Sequence, residues 1–443
     1  MKSLKSRFQF DIIEMMAPPN MSMEEKFYRI SKELLLCLRV YGYFPLSFTR
    51  SFTITRKMCS VPTIWTIIVL ALLIWKLSNH FIHIDVYLKY MELSPTENFA
   101  YIIMSIILLV NSVLFRAINF VRGNKITNFW RLNCKCFKMV TNLKRSFDFC
   151  DPYSESAHSV KKIQRSTQLF LALGIVYSIM TGLVPASKYL YDAIVYEQKY
   201  WDYNLNAIIS QILFTLGGVT RFALILYLAL FLKFYSFFFD MIARELQDFV
   251  KYLEPEYTPC GKILNHREHI RISEETRKCI QAYDIIEDLF FQFEDHFRIQ
   301  LIFHTLVSMI SISVLIFFLI FFILHSKFSN LIWVGFYLTI ELWQMYYTGT
   351  WCSRVTSSSK SVLSKLYSLN DSTFHPELRS KIQKLILKLS TNPPKISPGQ
   401  FFILDRNSLT TILASITTYI IILLQFEVSD NGKPSANGTI SFS

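Results

Sequence analysis

Seven stretches of roughly 20 residues in this chain are apolar with scarcely a charge inside them. They run from Val61 to Leu77, Phe99 to Phe120, Gln168 to Leu190, Leu205 to Phe239, Phe297 to Leu324, Leu331 to Thr350 and Leu409 to Phe426. In hydrocarbon the backbone must satisfy its own hydrogen bonds, and a sequence of separate apolar runs does so as helices. The expected fold is therefore all-α: a polytopic membrane protein with seven transmembrane helices. Composition agrees, because charged residues make up 18% of the 443 positions, against about a quarter in soluble domains.

The net charge of +13 does not point to nucleic acid. Basic residues collect in alternate connecting segments, and no RNA- or DNA-binding motif accompanies them. The segment before Val61 holds ten of them, from Lys2 to Lys57, and Val121 to Arg165, Asp240 to His296 and Trp351 to Arg406 are also rich. By contrast Ser78 to Asn98 has only Lys89, Ser326 to Asn330 only Lys327, and the tail only Lys433. The positive-inside rule then predicts a cytoplasmic N-terminus and an extracellular C-terminus. The cysteines agree, since all eight fall in segments or helix ends assigned to the reducing side. Of the sequons, only Asn437 in the tail is expected to be outside and open to glycosylation. This direction is opposite to that of G-protein-coupled receptors. No Asp-Arg-Tyr follows the third run, and the seventh has no Asn-Pro-x-x-Tyr.

The organisation expected is a cytoplasmic segment 1–60, a six-helix bundle 61–350, a cytoplasmic anchor 351–407, a pore-lining helix 408–426 and an extracellular tail 427–443. The patch Leu34 to Phe48, broken by Arg39, Gly42 and Pro45, is too interrupted to span and reads as an interfacial amphipathic helix. Ile280, Tyr283, Ile286, Phe290, Phe293 and Phe297 recur at helical spacing and lead into the fifth run. Leu378, Ile382, Leu385 and Leu389 form a second stripe between Pro376 and Asn392-Pro393-Pro394. Both stripes need an apolar partner, so a packed cytoplasmic bundle is expected, with solvated amphipathic helices as the alternative.

In the last run Thr411, Ser415, Thr418, Ile422 and Gln425 repeat at spacings of four, three, four and three. Two accounts fit this stripe. Small hydroxyls let helices approach closely and hydrogen-bond, and a polar face can also line a water-filled path for cations. In the second account Ile422 or Phe426 closes the path and the Gln425 amide meets the ion. The segment Thr418-Tyr419-Ile420-Ile421-Ile422-Leu423-Leu424-Gln425-Phe426 resembles the Thr-Tyr, five hydrophobics, Gln-Phe signature that closes the last helix of insect gustatory receptors. Phe402-Ile403-Leu404-Asp405-Arg406 is similar to the run that precedes it there. The resemblance implies a ligand-gated, non-selective cation channel at the plasma membrane of sensory neurons. It further implies a homotetramer, or a heterotetramer with related subunits, surrounded by membrane lipid and passing permeant cations. Gln425 and Phe426 would sit at the gate, with Thr418 and Tyr419 as packing or pore-wall positions.

A small-molecule tastant would bind within the helix bundle, in a pocket open to the outside. Trp333, Tyr337, Glu341, Gln344 and Thr348 share one face of the sixth run, joining aromatic surface to hydrogen-bonding groups. Tyr177, Thr181, Gln211, Thr215, Ser308 and Ser311 are placed to face it. Each has a plainer account as packing or interfacial anchoring, and for Arg221 with Glu341 a buried ion pair is the favoured one. An odorant-receptor-type subunit of the same superfamily and a transporter are the alternatives; internal repeats, the mark of many transporters, are missing. No cofactor is expected. His266 and His269 lack further metal ligands, Cys134 and Cys136 lack the spacing of a zinc knuckle, and no catalytic constellation is present.

Overall fold

The computed structural model describes residues 23–48, 54–55, 59–82, 95–143, 152–178, 201–253, 266–324, 328–369 and 374–431. Helices account for nearly all of them: α1 (Met23–Val40), α2 (Val61–Ile82), α3 (Pro95–Val121), α4 (Gly123–Leu143), α5 (Pro152–Ser178), α6 (Trp201–Leu253), α7 (His266–Leu324), α8 (Phe328–Ser368), α9 (Pro376–Thr391) and α10 (Arg406–Asn431). A 3-10 turn, Pro398–Gln400, precedes α10. The β-structure among the described residues is one antiparallel pair, β1 (Ser47–Phe48) with β2 (Ile54–Thr55). The all-α expectation therefore holds.

Four segments are long and apolar enough to cross a bilayer by length and composition alone: Val61–Asn79, Ile102–Val121, Arg221–Lys251 and Ile270–Leu324. Helices α8 and α10 are not among the four, and both carry polar stripes. The third predicted run is described only as far as Ser178, the end of α5. Helix α7 has 59 residues, and at 1.5 Å per residue it is roughly 88 Å long, about three times the hydrocarbon thickness. The continuous helical periodicity read across Ile280 to Phe297 is thus one uninterrupted helix.

That stripe builds the core. Ile280, Tyr283, Ile286, Phe290, Phe293 and Phe297 are all buried, while Asp284, Asp288 and Asp295 are exposed. Their rings interlock with α4 and α6, at 6.4 Å for Phe129–Phe293, 5.5 Å for Tyr227–Phe297 and 5.6 Å for Tyr235–Phe293. On α9, Leu378, Ile382, Leu385 and Leu389 are buried against α7 and α8. Lys388 of α9 hydrogen-bonds and pairs with the buried Glu287 of α7. Burial alone would lower the Lys388 pKa, but Glu287 outweighs it and the net shift is upward. Both stripes are therefore packed against protein, as expected, and not solvated.

The segment from α9 to α10 is clipped to the same wall. The Ser397 amide donates to the Glu294 carboxylate at 3.0 Å, and the Leu404 amide to the Ile396 carbonyl at 2.8 Å. Gly399 adopts φ +62°, and a Cβ there would lie 2.8 Å from Ile302 Cδ1, so glycine is required on both counts. Asp405 then caps α10: its Oδ1 accepts from the Ser408 amide at 2.7 Å, and its own amide donates to Ser408 Oγ at 3.1 Å. This is a reciprocal cap, and it gives the Asp405 of the run before α10 a structural reason.

The N-terminal patch packs against the rest of the protein. Leu34, Leu35 and Leu38 of α1 are buried against protein, and after Gly42 (φ +65°) the non-helical Tyr43, Phe44 and Leu46 are fully buried. Buried backbone needs partners, and neighbouring helices supply them. Arg116 Nη2 donates to the Tyr41 carbonyl at 2.8 Å and Asn119 Nδ2 to the Tyr43 carbonyl at 3.2 Å. Gln300 Nε2 in turn donates to Asn119 Oδ1 at 2.9 Å. Leu34, Leu35 and Leu38 of α1 thus have protein as their partner, while Leu36 and Val40 are exposed.

Close helix approach depends on Gly174 of α5. A Cβ there would sit 2.4 Å from the Phe222 ring of α6, and that ring is itself stacked on Trp343 at 5.8 Å. Gly174→Val is expected to destabilise by about 1–3 kcal/mol through overpacking, measurable as a lower thermal midpoint in detergent.

Candidate functional site

Three helices bring charge and hydroxyls together in the apolar interior. Arg221 of α6 makes a bidentate pair with Glu341 of α8, with Nη1–Oε1 at 2.8 Å and Nη2–Oε2 at 2.6 Å. Arg221 also donates to Ser308 Oγ at 2.7 Å and Ser311 Oγ at 3.5 Å, both on α7. The arginine is 1% exposed and the glutamate 7%. Bidentate geometry and two extra acceptors are what an ion pair out of water needs. Ser308 and Ser311, expected to face a ligand, are therefore engaged by Arg221.

One turn from Ser308 on α7 and from Glu341 on α8 lie two groups with unused polar atoms. Both ring nitrogens of His304 and the Oε1 of Gln344 are buried with no hydrogen-bond partner among the described residues. His304 was not singled out from sequence, although its spacing of four before Ser308 and seven before Ser311 puts it on their face. Because an unsatisfied buried polar group costs about 1–3 kcal/mol, His304→Leu is expected to be neutral or stabilising. Thermal unfolding of the solubilised protein checks this.

A second buried cation also escaped the sequence reading. Lys233 of α6 donates to Ser166 Oγ at 2.8 Å. Its ammonium lies 5.6 Å from the Phe170 ring centroid, 5.4 Å from Tyr347 and 5.2 Å from Trp351. Three aromatic faces take the place of a carboxylate. A lone lysine inside Leu228-Ala229-Leu230-Phe231-Leu232 and Phe234 was the available signal.

Of the other ligand candidates, Trp333 is exposed, Tyr337 and Thr215 are half-buried and Gln344 is buried. Thr348 is buried and bonds to the Gln344 carbonyl of its own helix. The side chains of Tyr177, Thr181 and Gln211 lie outside the described residues, as does Asn437. The larger of two described cavities, about 380 Å³, lies between α8 and α9 and is lined by Leu366, Tyr367, Ile382 and Leu387 among others. None of the expected ligand residues lines either one.

Helix α10 is two-sided. Ile412 and Ile416 are buried with Ile312 of α7 and Met345 of α8. Thr411, Thr418, Ile422 and Gln425 are exposed and Ser415 is half-buried, while the Phe426 side chain lies outside the described residues. The hydroxyls of Ser415 and Thr418 bond to carbonyls one turn back, at 3.1 and 3.4 Å, which makes the stripe less polar than its composition. Among the described residues no cluster of metal-ligating side chains occurs. Cys37, Cys59, Cys136, Cys279 and Cys352 are free thiols, and burial pushes the Cys136 thiol up to about 12, far from a reactive thiolate.

The fold and this polar interior define an all-helical polytopic membrane protein. Residues 34–430 match the model of the family described as 7tm Chemosensory receptor, and the chain belongs to that family. A 72-residue segment is 32% identical to gustatory and odorant receptor 24 of Anopheles gambiae, covering 16% of this chain and 16% of that relative's length. The fold is shared with the insect olfactory receptor OR5 of Machilis hrabei at TM-score 0.60 and 13% identity, over 90% of this chain and 98% of that one. The same receptor in complex with eugenol matches at TM-score 0.55 and 13% identity, over 89% and 97%.

Proposed function

We propose that the chain is a subunit of a ligand-gated, non-selective cation channel of the gustatory branch, opened by a small-molecule tastant. In this reading the N-terminus is cytoplasmic and the C-terminus outside. Residues 61–350 form the ligand-binding bundle, 351–407 the cytoplasmic anchor and 408–426 the pore helix, with four subunits around one axis. The observation that carries it is the sidedness of α10. Ile412 and Ile416 are buried within the subunit, while Thr411, Thr418, Ile422 and Gln425 are left uncovered, as are Leu413 and Ile421. Polar groups at membrane depth face protein or water, so this stripe calls for either a neighbouring subunit or an aqueous path. A four-fold arrangement supplies both.

The ligand is placed toward the outer half of the bundle, near Trp333 and Tyr337, because Ser308, Ser311 and Glu341 are occupied by Arg221. The eugenol complex of OR5 supports a small organic molecule as the class of ligand. An odorant-receptor-type subunit is the second reading, favoured by the fold shared with an olfactory receptor. The Thr418-to-Phe426 signature favours the first.

Whole-cell current from the chain expressed alone, under sucrose, caffeine and heat steps, tests the proposal. Stimulus-evoked cation current is expected, and Gln425→Ala is expected to alter its relative permeabilities at unchanged surface amount. Glycosylation mapping that placed Asn437 in the cytoplasm would remove the basis of the reading.

A further inference from the structure

The buried ion pair and the last helix are adjacent in a way that neither explains alone. On α7, Ser311 reaches Arg221 while the next residue, Ile312, packs on α10. Successive helical residues point about 100° apart, so one turn of α7 touches α6 with one side and α10 with the other. Helix α8 repeats the arrangement. Glu341 holds Arg221, and Met345, one turn further on, is buried with Ile412 and Ile416 of α10. The polar and apolar clusters thus share the same two turns of α7 and α8.

We propose that the Arg221–Glu341 pair, braced by Ser308 and Ser311, is the coupling element between the α6–α7–α8 bundle and α10. Arg221 and Glu341 are positioning residues here: they touch neither ligand nor ion. Arg221 fixes the rotational and axial register of α6 against α8, because a bidentate pair tolerates little displacement, and its bonds to Ser308 and Ser311 tie α7 to the same point. That register sets the groove into which Ile412 and Ile416 fit. Close-packed interfaces respond to a register change by repacking, not by continuous deformation. The unused polar atoms of His304 and Gln344, one turn away, give the same interface a second set of partners to engage when the helices shift. The inference deepens the channel reading, since α10 is the proposed pore helix, but the coupling itself is a property of the bundle.

The test replaces the pair without leaving a buried charge behind: Arg221→Met with Glu341→Leu. Amide hydrogen exchange is measured in the full chain in lipid nanodiscs, comparing α10 with α4, which does not carry the pair. The expected result is at least a tenfold rise in exchange across residues 406–425, with α4 unchanged and Arg221→Lys intermediate. Exchange that rises along α6 around position 221 while α10 keeps its wild-type protection would overturn the proposal. Because exchange does not require conduction, the two readings separate cleanly. A wild-type chain that reaches the surface and passes no current under the stimuli above, while the double variant still shows the α10 rise, defeats the channel and leaves the coupling standing. A wild-type chain that conducts, paired with a double variant matching it in α10 exchange and in unstimulated current, defeats the coupling alone.

Discussion

Glu341→Ala is expected to remove most of the protein from the cell surface. The substitution leaves the Arg221 guanidinium, 1% exposed, with two serine hydroxyls and no counter-charge among the described residues. Removing one partner of a buried pair costs about 3–5 kcal/mol, a large part of the 5–15 kcal/mol typical of a native domain. Quality control in the cell then lowers abundance several-fold. Arg221→Ala is expected to behave in the same way, since it strands the carboxylate. The double replacement Arg221→Met with Glu341→Leu is expected to accumulate close to the wild-type level, because desolvation of both charges is avoided together. Surface biotinylation and thermal unfolding in detergent measure both effects. Single variants as abundant and as stable as the double one would mean that the pair is solvated.

The pair was legible in the sequence because charge inside an apolar run is costly, and Arg221 and Glu341 are opposite charges in the middle of two such runs. Helical periodicity likewise gave the α7 stripe and the α9 stripe correctly, as every residue named in them is buried. Periodicity identifies a face but not the neighbour that the face meets. Ser308 and Ser311 were placed on the right side of their helix and given a ligand as partner, whereas the structure gives them Arg221. Lys233 shows the same limit: its cage is assembled from Phe170 on α5 and from Tyr347 and Trp351 on α8, and no local pattern joins those three. The burial of Tyr43 to Leu46 was hidden for another reason. A short non-helical stretch has no periodicity, and its backbone partners Arg116 and Asn119 lie more than 70 positions away.

Helix α10 is where sequence and packing reinforce each other most, and the second large effect falls there. Thr418→Arg is expected to reduce cation current more than tenfold without lowering surface amount. Thr418 is exposed in the subunit, and among the described residues its hydroxyl bonds to the Ala414 carbonyl of its own helix, so an arginine is accommodated with little loss of packing. In a four-subunit assembly the substitution adds four guanidinium groups around one path. At about 8 Å from the axis in a water-like medium, each repels a monovalent cation by roughly 0.5 kcal/mol, or about 2 kcal/mol for the four. A barrier of that size exceeds a tenfold change in rate, and a narrower or less polar path increases it. Relative permeability is expected to move toward anions, as with rings of basic residues in anion pores. Ile416→Arg provides the contrast: on the buried face, beside Ile312 and Met345, it is expected to abolish surface expression altogether. Equal currents and an unchanged reversal potential in Thr418→Arg, at equal surface amount, would place the stripe against protein and away from the conducting path.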